Sequence, residues 1–398
     1  MFSQVQDWEG RMSSTYTDKL AWRRRLAAVV AVLAITLVTP GAARAGGGHH
    51  GNGNVDVMTR NLYLGADLTP AIGAPSLEAL VAADGQILRE VTANDFPVRA
   101  KGLASEIRAE RPDLVGLQEV ALWRTAPPSI VPLLTGPSAT TVRYDYLQEL
   151  LANLNHGRGG PHYEAVVVQP EFDFEAPADE NGEPGDGPAA QGIPNAEINA
   201  RLTMRDVILA RVGARVHTWN PQSGHFATLL EVPILGKPVT IVRGWTSVDA
   251  SVDASRPFHF VNTHLESYNP LVRAAQAGEL AAPGGSATSK SPVILVGDLN
   301  SDDNTVAGAD RLAYETLQKA GFVERSTDKP LGCCLKSSLL AAGAGGSVSD
   351  FDHQVDHVMT NDPRHVALWW SDVTGLLPVN GFWDSDHAGL FSSLGLGR

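Results

Sequence analysis

The 398-residue chain has only two cysteines, and they are neighbours, Cys333 and Cys334. A disulfide-stapled scaffold and a Cys-rich zinc module are therefore excluded. A vicinal bridge and a pair of thiols both stay open. Charge is sparse at 19%, and basic residues number 31 against 44 acids, a net charge of −13. That balance excludes a general basic coat for polyanions, although a local site with a bound cation can still handle a phosphate. Heptad and Gly-X-Y periods are missing, which excludes coiled coil and collagen. The apolar run at 26–38 is 13 residues, short of the roughly 20 that a membrane-spanning helix needs. What is present is a hydrophobic content of 43%, enough for one large core or two ordinary ones.

That 13-residue run has its own meaning. Arg23, Arg24 and Arg25 precede it, Pro40 and Gly41 break it, and Ala43-Arg44-Ala45 places small residues where a signal peptidase reads. Charge, apolar stretch and small-x-small in that order describe a secretory signal over 1–45, with a loose hint of twin-arginine export. The leader takes six basic and three acidic residues with it, so the remainder carries a net charge of −16. The expected product is an exported, acidic, monomeric protein with no stable protein partner. Residues 46–54 read as a flexible Gly/Asn/His linker, and 55–398 as the folded domain.

Within that domain, apolar spacing predicts helices over 76–91, 97–110, 143–155, 271–280 and 311–320. Strands are predicted at 55–59, 113–117, 162–168, 206–211, 215–219, 226–232, 238–243, 257–262, 292–296, 355–360 and 366–370. Residues 171–188 hold seven acids, three prolines and no base, and are expected to form a mobile surface loop. A tandem Ser-Val-Asp-Ala at 247–254 reads as slippage in a loop, which also places Trp245 in a loop. Of the adjacent Trp369 and Trp370, alternation along a strand sends one to the core and one outward. Helices mixed with mostly antiparallel strands make one α+β domain.

Six segments share a pattern in which an apolar strand runs out into acids, amides or histidine. They contain Asn61, Gln118-Glu119, Asn262-Thr263-His264, Gly297-Asp298-Leu299-Asn300, Asp356-His357 and Ser385-Asp386-His387. Strand ends are where a rigid scaffold hands residues to a cleft. An oxygen-rich set without thiolate suits magnesium, manganese or calcium better than structural zinc.

Taken together and in this order, the six segments resemble the endonuclease/exonuclease/phosphatase superfamily over about residues 55 to 390. The resemblance implies a four-layer α/β/β/α sandwich of two packed, mixed, mostly antiparallel sheets. It implies a metal-dependent phosphoric ester hydrolase working with Mg2+, or with Mn2+ or Ca2+. Glu119 is then the principal metal ligand, with Asn61 and Asp386 nearby. His387 is the general base, oriented by Asp356. Asp298 and Asn300 hold the attacking water, and His264 donates to a phosphate oxygen or to the leaving group. Tyr63 and Asp67 are further candidates, whereas His353 and His357 read as local structure. The expected substrate is a phosphate ester of a nucleic acid or a phospholipid headgroup. A nuclease-like phosphodiesterase would draw on Arg60, Arg201, Arg205, Arg211 and Arg215. A sphingomyelinase or phospholipase C acting on choline-type headgroups is the alternative, and an inactive binding module a third.

Overall fold

The computed structural model describes residues 53–397, apart from 158, 184–192, 194, 254–256, 303–309, 328–330 and 343–345. The expected leader and nearly all of the linker lie outside the described residues. Two large sheets and a hairpin carry the chain.

The first sheet is built from β1 (Asn54–Asn61), β2 (Leu114–Gln118), β3 (Leu122–Ala126), β4 (Thr141–Asp145), β5 (His162–Ala178) and β6 (Ile198–Val212). The second sheet uses β7 (Val216–His225), β10 (Gly244–Val252), β11 (Phe258–His264), β12 (Val293–Asp298), β13 (Val323–Glu324) and β14 (Asp356–Thr360). Between β7 and β10, β8 (Leu230–Ile234) and β9 (Lys237–Ile241) pair as a separate hairpin. The chain then returns to the first sheet as β15 (Val366–Thr374) and β16 (Gly389–Leu396). The orders are β15-β16-β1-β2-β6-β3-β4, with β5 on the other edge of β6, and β13-β14-β12-β11-β10-β7. Only β1–β2 and β11–β12 are parallel; the other strand pairs described are antiparallel.

Period-two alternation divides the apolar residues among layers. Val55 and Val57 of β1, Ile208 of β6, Phe260 of β11 and Ile294 and Val296 of β12 fill the space between the sheets. The opposite faces bury Met58, Val115 and Leu209 on one side and Val261, Leu295 and Met359 on the other. Helices α2 (Leu77–Ala93), α3 (Phe96–Glu110) and α5 (Tyr146–Leu154) cover the first sheet. Helices α6 (Pro270–Ala281) and α7 (Leu312–Lys319) cover the second. Short helices α1 (Thr69–Ile72) and α4 (Pro132–Thr135) complete the set. The result is the expected α/β/β/α sandwich. Gly116 lets the two sheets approach: a Cβ there would sit 2.6 Å from Asn262 Oδ1 of the facing sheet.

Three local expectations are corrected. The acidic segment is not a loop throughout, because β5 runs to Ala178 and buries Glu171 and Glu175. Its Glu-Phe-Asp-Phe-Glu core alternates aromatic and acidic faces, and Glu175 accepts from Ala139 N at 2.7 Å and Asn199 Nδ2 at 2.7 Å. Part of the Ser-Val-Asp-Ala tandem is strand β10, whose Val248, Ala250 and Val252 enter the inter-sheet core. Trp245 is on that strand. Neither Trp369 nor Trp370 is core: they are 67% and 43% exposed, at a register shift between Leu368 and Trp370 that breaks the alternation.

Candidate functional site

Strand pairing places the polar strand ends side by side. His264 of β11 is the register partner of Asp298 of β12, which is the partner of Asp356 of β14. The three lie in one row across adjacent strands of the second sheet. Asn61 occupies the matching end of β1 in the first sheet, beside Gln118. Glu119 follows β2 at the corner that leads to β3, and Asp386 and His387 immediately precede β16. Tyr63, Glu119 and Asn300 adopt left-handed φ values of 57°, 55° and 48°. Non-glycine residues hold that conformation only at a cost, and such positions cluster where side chains must be re-aimed. Gly297 is needed in Gly-Asp-Leu-Asn because a Cβ would strike the Thr263 carbonyl.

The side chains converge. His387 Nδ1 lies 2.7 Å from Asp356 Oδ2, and its Nε2 faces Asp298 Oδ2 at 3.8 Å. Asn61 Nδ2 donates across the sheets to the same Asp298 oxygen at 3.0 Å, while its Oδ1 accepts from Tyr63 N. Asn300 N caps Asp298 Oδ1 at 2.8 Å, and Asn300 Nδ2 donates to Leu265 O at 3.0 Å. His264 Nε2 is 3.5 Å from Asp298 Oδ2. Glu119 Oε2 accepts from Leu64 N at 2.7 Å. All eight predicted residues thus fall at one end of the sandwich, at the ends of strands from both sheets.

Burial and mutual charge set their protonation. Burial pushes the Asp298 carboxyl up to about 6, with His387 opposing and Asp356 reinforcing. Burial alone would lower the His387 imidazole, but Asp356, Asp386 and Asp298 together hold it well above its ordinary value. Burial, then Arg243 and His387, push His264 well below its ordinary value. Arg243 approaches His264 Nδ1 at 2.9 Å. A guanidinium only donates, so Nδ1 accepts and the ring proton sits on Nε2, facing Asp298. His264 is therefore a neutral hydrogen-bond donor.

Glu119 and Asp386 both line a cavity of about 530 Å³. Burial pushes Asp386 up to about 7, with His387 opposing and Glu119 adding to the rise. Two carboxylates that repel one another across the wall of an open cavity fit a hard divalent cation. Two groups of His, Cys, Asp or Glu bring three ligand atoms within 4.8 Å of one another among the described residues: Asp298–Asp356–His387 and Cys333–Cys334–His387. Neither includes Glu119 or Asp386.

Several participants escaped sequence reading. Arg243 is buried against His264 and lines the cavity. Arg99 is fully buried and donates to the carbonyls of Leu62, Tyr63, Asn94 and Asp384, tying the loop after β1 to the loop before β16. Its signal was a charge on the apolar stripe Phe96, Ala100, Leu103 and Ile107. Cys333 and Cys334 are bonded to each other, and their sulfurs lie 3.7 and 3.8 Å from His387 Nε2. His357 is structural, held between Glu324 at 2.8 Å and Ser301 O at 2.9 Å. Tyr63 and Asp67 line the cavity. The five arginines offered as phosphate contacts are each paired with a carboxylate: Arg60 with Glu106, Arg201 with Asp173, Arg205 with Asp145, Arg211 with Asp113 and Arg215 with Asp253.

No curated protein matches the sequence. Among solved structures, a Bacteroides thetaiotaomicron endonuclease/exonuclease/phosphatase family protein superposes with a TM-score of 0.50 at 13% identity, over 87% of this chain and 98% of its own. A Beutenbergia cavernae endonuclease/exonuclease/phosphatase gives 0.45 at 19% identity, over 87% and 72%. A B. thetaiotaomicron mannosyl-6-phosphatase gives 0.47 at 13% identity, over 85% and 99%. The sequence model of the Endonuclease/Exonuclease/phosphatase family matches residues 61–387, a span from the β1 asparagine to the histidine before β16, so the chain belongs to that family of phosphoester hydrolases.

Proposed function

We propose that the protein is a metal-dependent phosphodiesterase that cleaves its substrate with water. The observation that carries this is the Asp356–His387 pair at 2.7 Å, aimed at an Asp298 that Asn61 holds from the opposite sheet. The attacking water is held by Asp298 and His387, and its proton passes to that coupled pair. Asp356 fixes the imidazole through Nδ1 and stabilises its cationic form. His264 donates from Nε2 to a non-bridging phosphate oxygen. Asn61 and Asn300 keep the Asp298 carboxylate aimed. Glu119 and Asp386 hold the divalent cation, which when bound supplies charge stabilisation to the phosphoryl and leaving oxygens.

A diester is favoured over a monoester by charge. Apart from the buried Asp84, the cavity sets three acids, Asp67, Glu119 and Asp386, against two bases, Arg243 and Lys336, and so offers no basic cluster for the second charge of a monoester. The paired arginines likewise give no support to recognition of a long nucleic acid strand. The test is hydrolysis of bis(p-nitrophenyl) phosphate, plasmid DNA, sphingomyelin and p-nitrophenyl phosphate with Mg2+, Mn2+ or Ca2+. We expect diester turnover that chelation abolishes, and that His387→Ala and Glu119→Ala each lower by about 10²-fold or more. Turnover undiminished in His387→Ala would sink the assignment.

A further inference from the structure

The cavity that reaches Glu119 and Asp386 continues away from them into an apolar chamber. Its walls are Ala71 of α1, Phe172 and Phe174 of β5, Leu202 of β6, and Ile234 and Ile241 of the β8–β9 hairpin. Most of these belong to the core cluster beneath the first sheet's helices, and they line the cavity as well. Asp84 of α2 opens into the same chamber. It is 9% exposed, and its Oδ2 has no hydrogen-bond partner among the described residues. Burial also holds its carboxyl well above the usual range, which favours the protonated form that can donate as well as accept. An unpaired buried polar group costs stability and calls for a partner.

We propose that this chamber binds the organic half of the phosphoester: an uncharged, apolar group bearing a hydroxyl or amide at its far end, which pairs with Asp84. The proposal rests on the phosphodiesterase reading for where the phosphate sits. It follows from continuity, since one cavity joins the carboxylates at the phosphate end to aromatic and aliphatic walls at the other. Pockets of this size and lining bury most of a small organic ligand, and a few polar groups fix its orientation. Aryl and alkyl groups share the chemistry required.

Calorimetric titration of the full chain with Mg2+ tests this, using as ligands the monoesters 1-naphthyl phosphate, octyl phosphate, 8-hydroxyoctyl phosphate and glycerol phosphate, which share one phosphate and are products rather than substrates of a phosphodiesterase. At about 0.8 kcal/mol per buried methylene, two methylenes already exceed a tenfold gain, so octyl or naphthyl phosphate should bind more than about tenfold tighter than glycerol phosphate. A naphthyl preference assigns an aryl group, and an octyl preference an alkyl chain. Ala200→Trp from β6 and Ala71→Phe from α1 should each shrink that gap to about twofold or less, with glycerol phosphate affinity unchanged. The hydroxyl of 8-hydroxyoctyl phosphate should be tolerated in the native protein and penalised in Asp84→Leu. Equal affinities for all four ligands, or a gap that survives both filling variants with native melting curves, overturns the proposal. Tight binding of the apolar phosphates without hydrolysis of any phosphoester keeps the chamber and sinks only the catalytic reading.

Discussion

Asp356 presents Oδ2 to His387, while its Oδ1 has no hydrogen-bond partner among the described residues. Its carboxylate is thus committed to the imidazole. Asp356→Asn should lower kcat/KM by about 10²-fold or more. It should also move the histidine inflection of the pH–rate profile to lower pH, because the carboxylate that raises that imidazole is gone. An unmoved inflection would separate Asp356 from the reaction. Asp84 gives a stability test. Its folded carboxyl sits well above the unfolded value of 3.8, so above that pH the folded state binds the extra proton. Stability then falls as pH rises from there toward the folded value. Asp84→Asn does not titrate, and should melt higher than the native protein at pH 8 with little difference at pH 3.

At the scale of elements, the strand ends were legible because each is a short local event: an apolar strand that runs out into polar residues. Helices over 77–93 and 96–110 were legible from their spacing for the same reason. What was hidden is non-local. Arg243 meets His264 because it immediately precedes β10, which pairs with β11, and nothing along the chain announces that pairing. Strand β5 was masked by its acid count, since Asp173 is neutralised by Arg201 and hydrogen-bonded by Thr203, which arrive from β6. Strand β10 was masked by small residues whose Val-x-Ala-x-Val alternation is weak. The close contact of the two sheets is itself testable. Gly116→Ala pushes a methyl against Asn262, which bridges to Gln118 Nε2 at 2.6 Å and to Leu117 O at 3.1 Å. Overpacking there should cost about 1–3 kcal/mol. Activity should fall further than stability explains, because Asn61 and Asp298 reach across the same gap. Calorimetry and kcat on one preparation check both.

At the scale of the whole molecule, the first sheet collects strands from both ends of the chain, and the second takes the middle. The expected leader lies outside the described residues, and export is our proposal from the sequence alone. Expression in a bacterium with a functional secretion system should yield extracellular protein beginning at about Gly46, a cut consistent with small-x-small cleavage. N-terminal sequencing of secreted material checks it, and a protein retained in the cell with Met1 or Met12 at its start would refute it.

Strand β16 is the last strand of the chain, yet it lies between β15 and β1, with Asn54 beside Gly395. The strand that anchors Asp386 and His387 is thus made after every other strand described. Until then β1 lacks a neighbour along one whole edge, and the hydrolytic centre is missing its imidazole. A chain that stops short of β16 thus lacks at once the antiparallel neighbour of β1 and the histidine that faces Asp298 and Asp356.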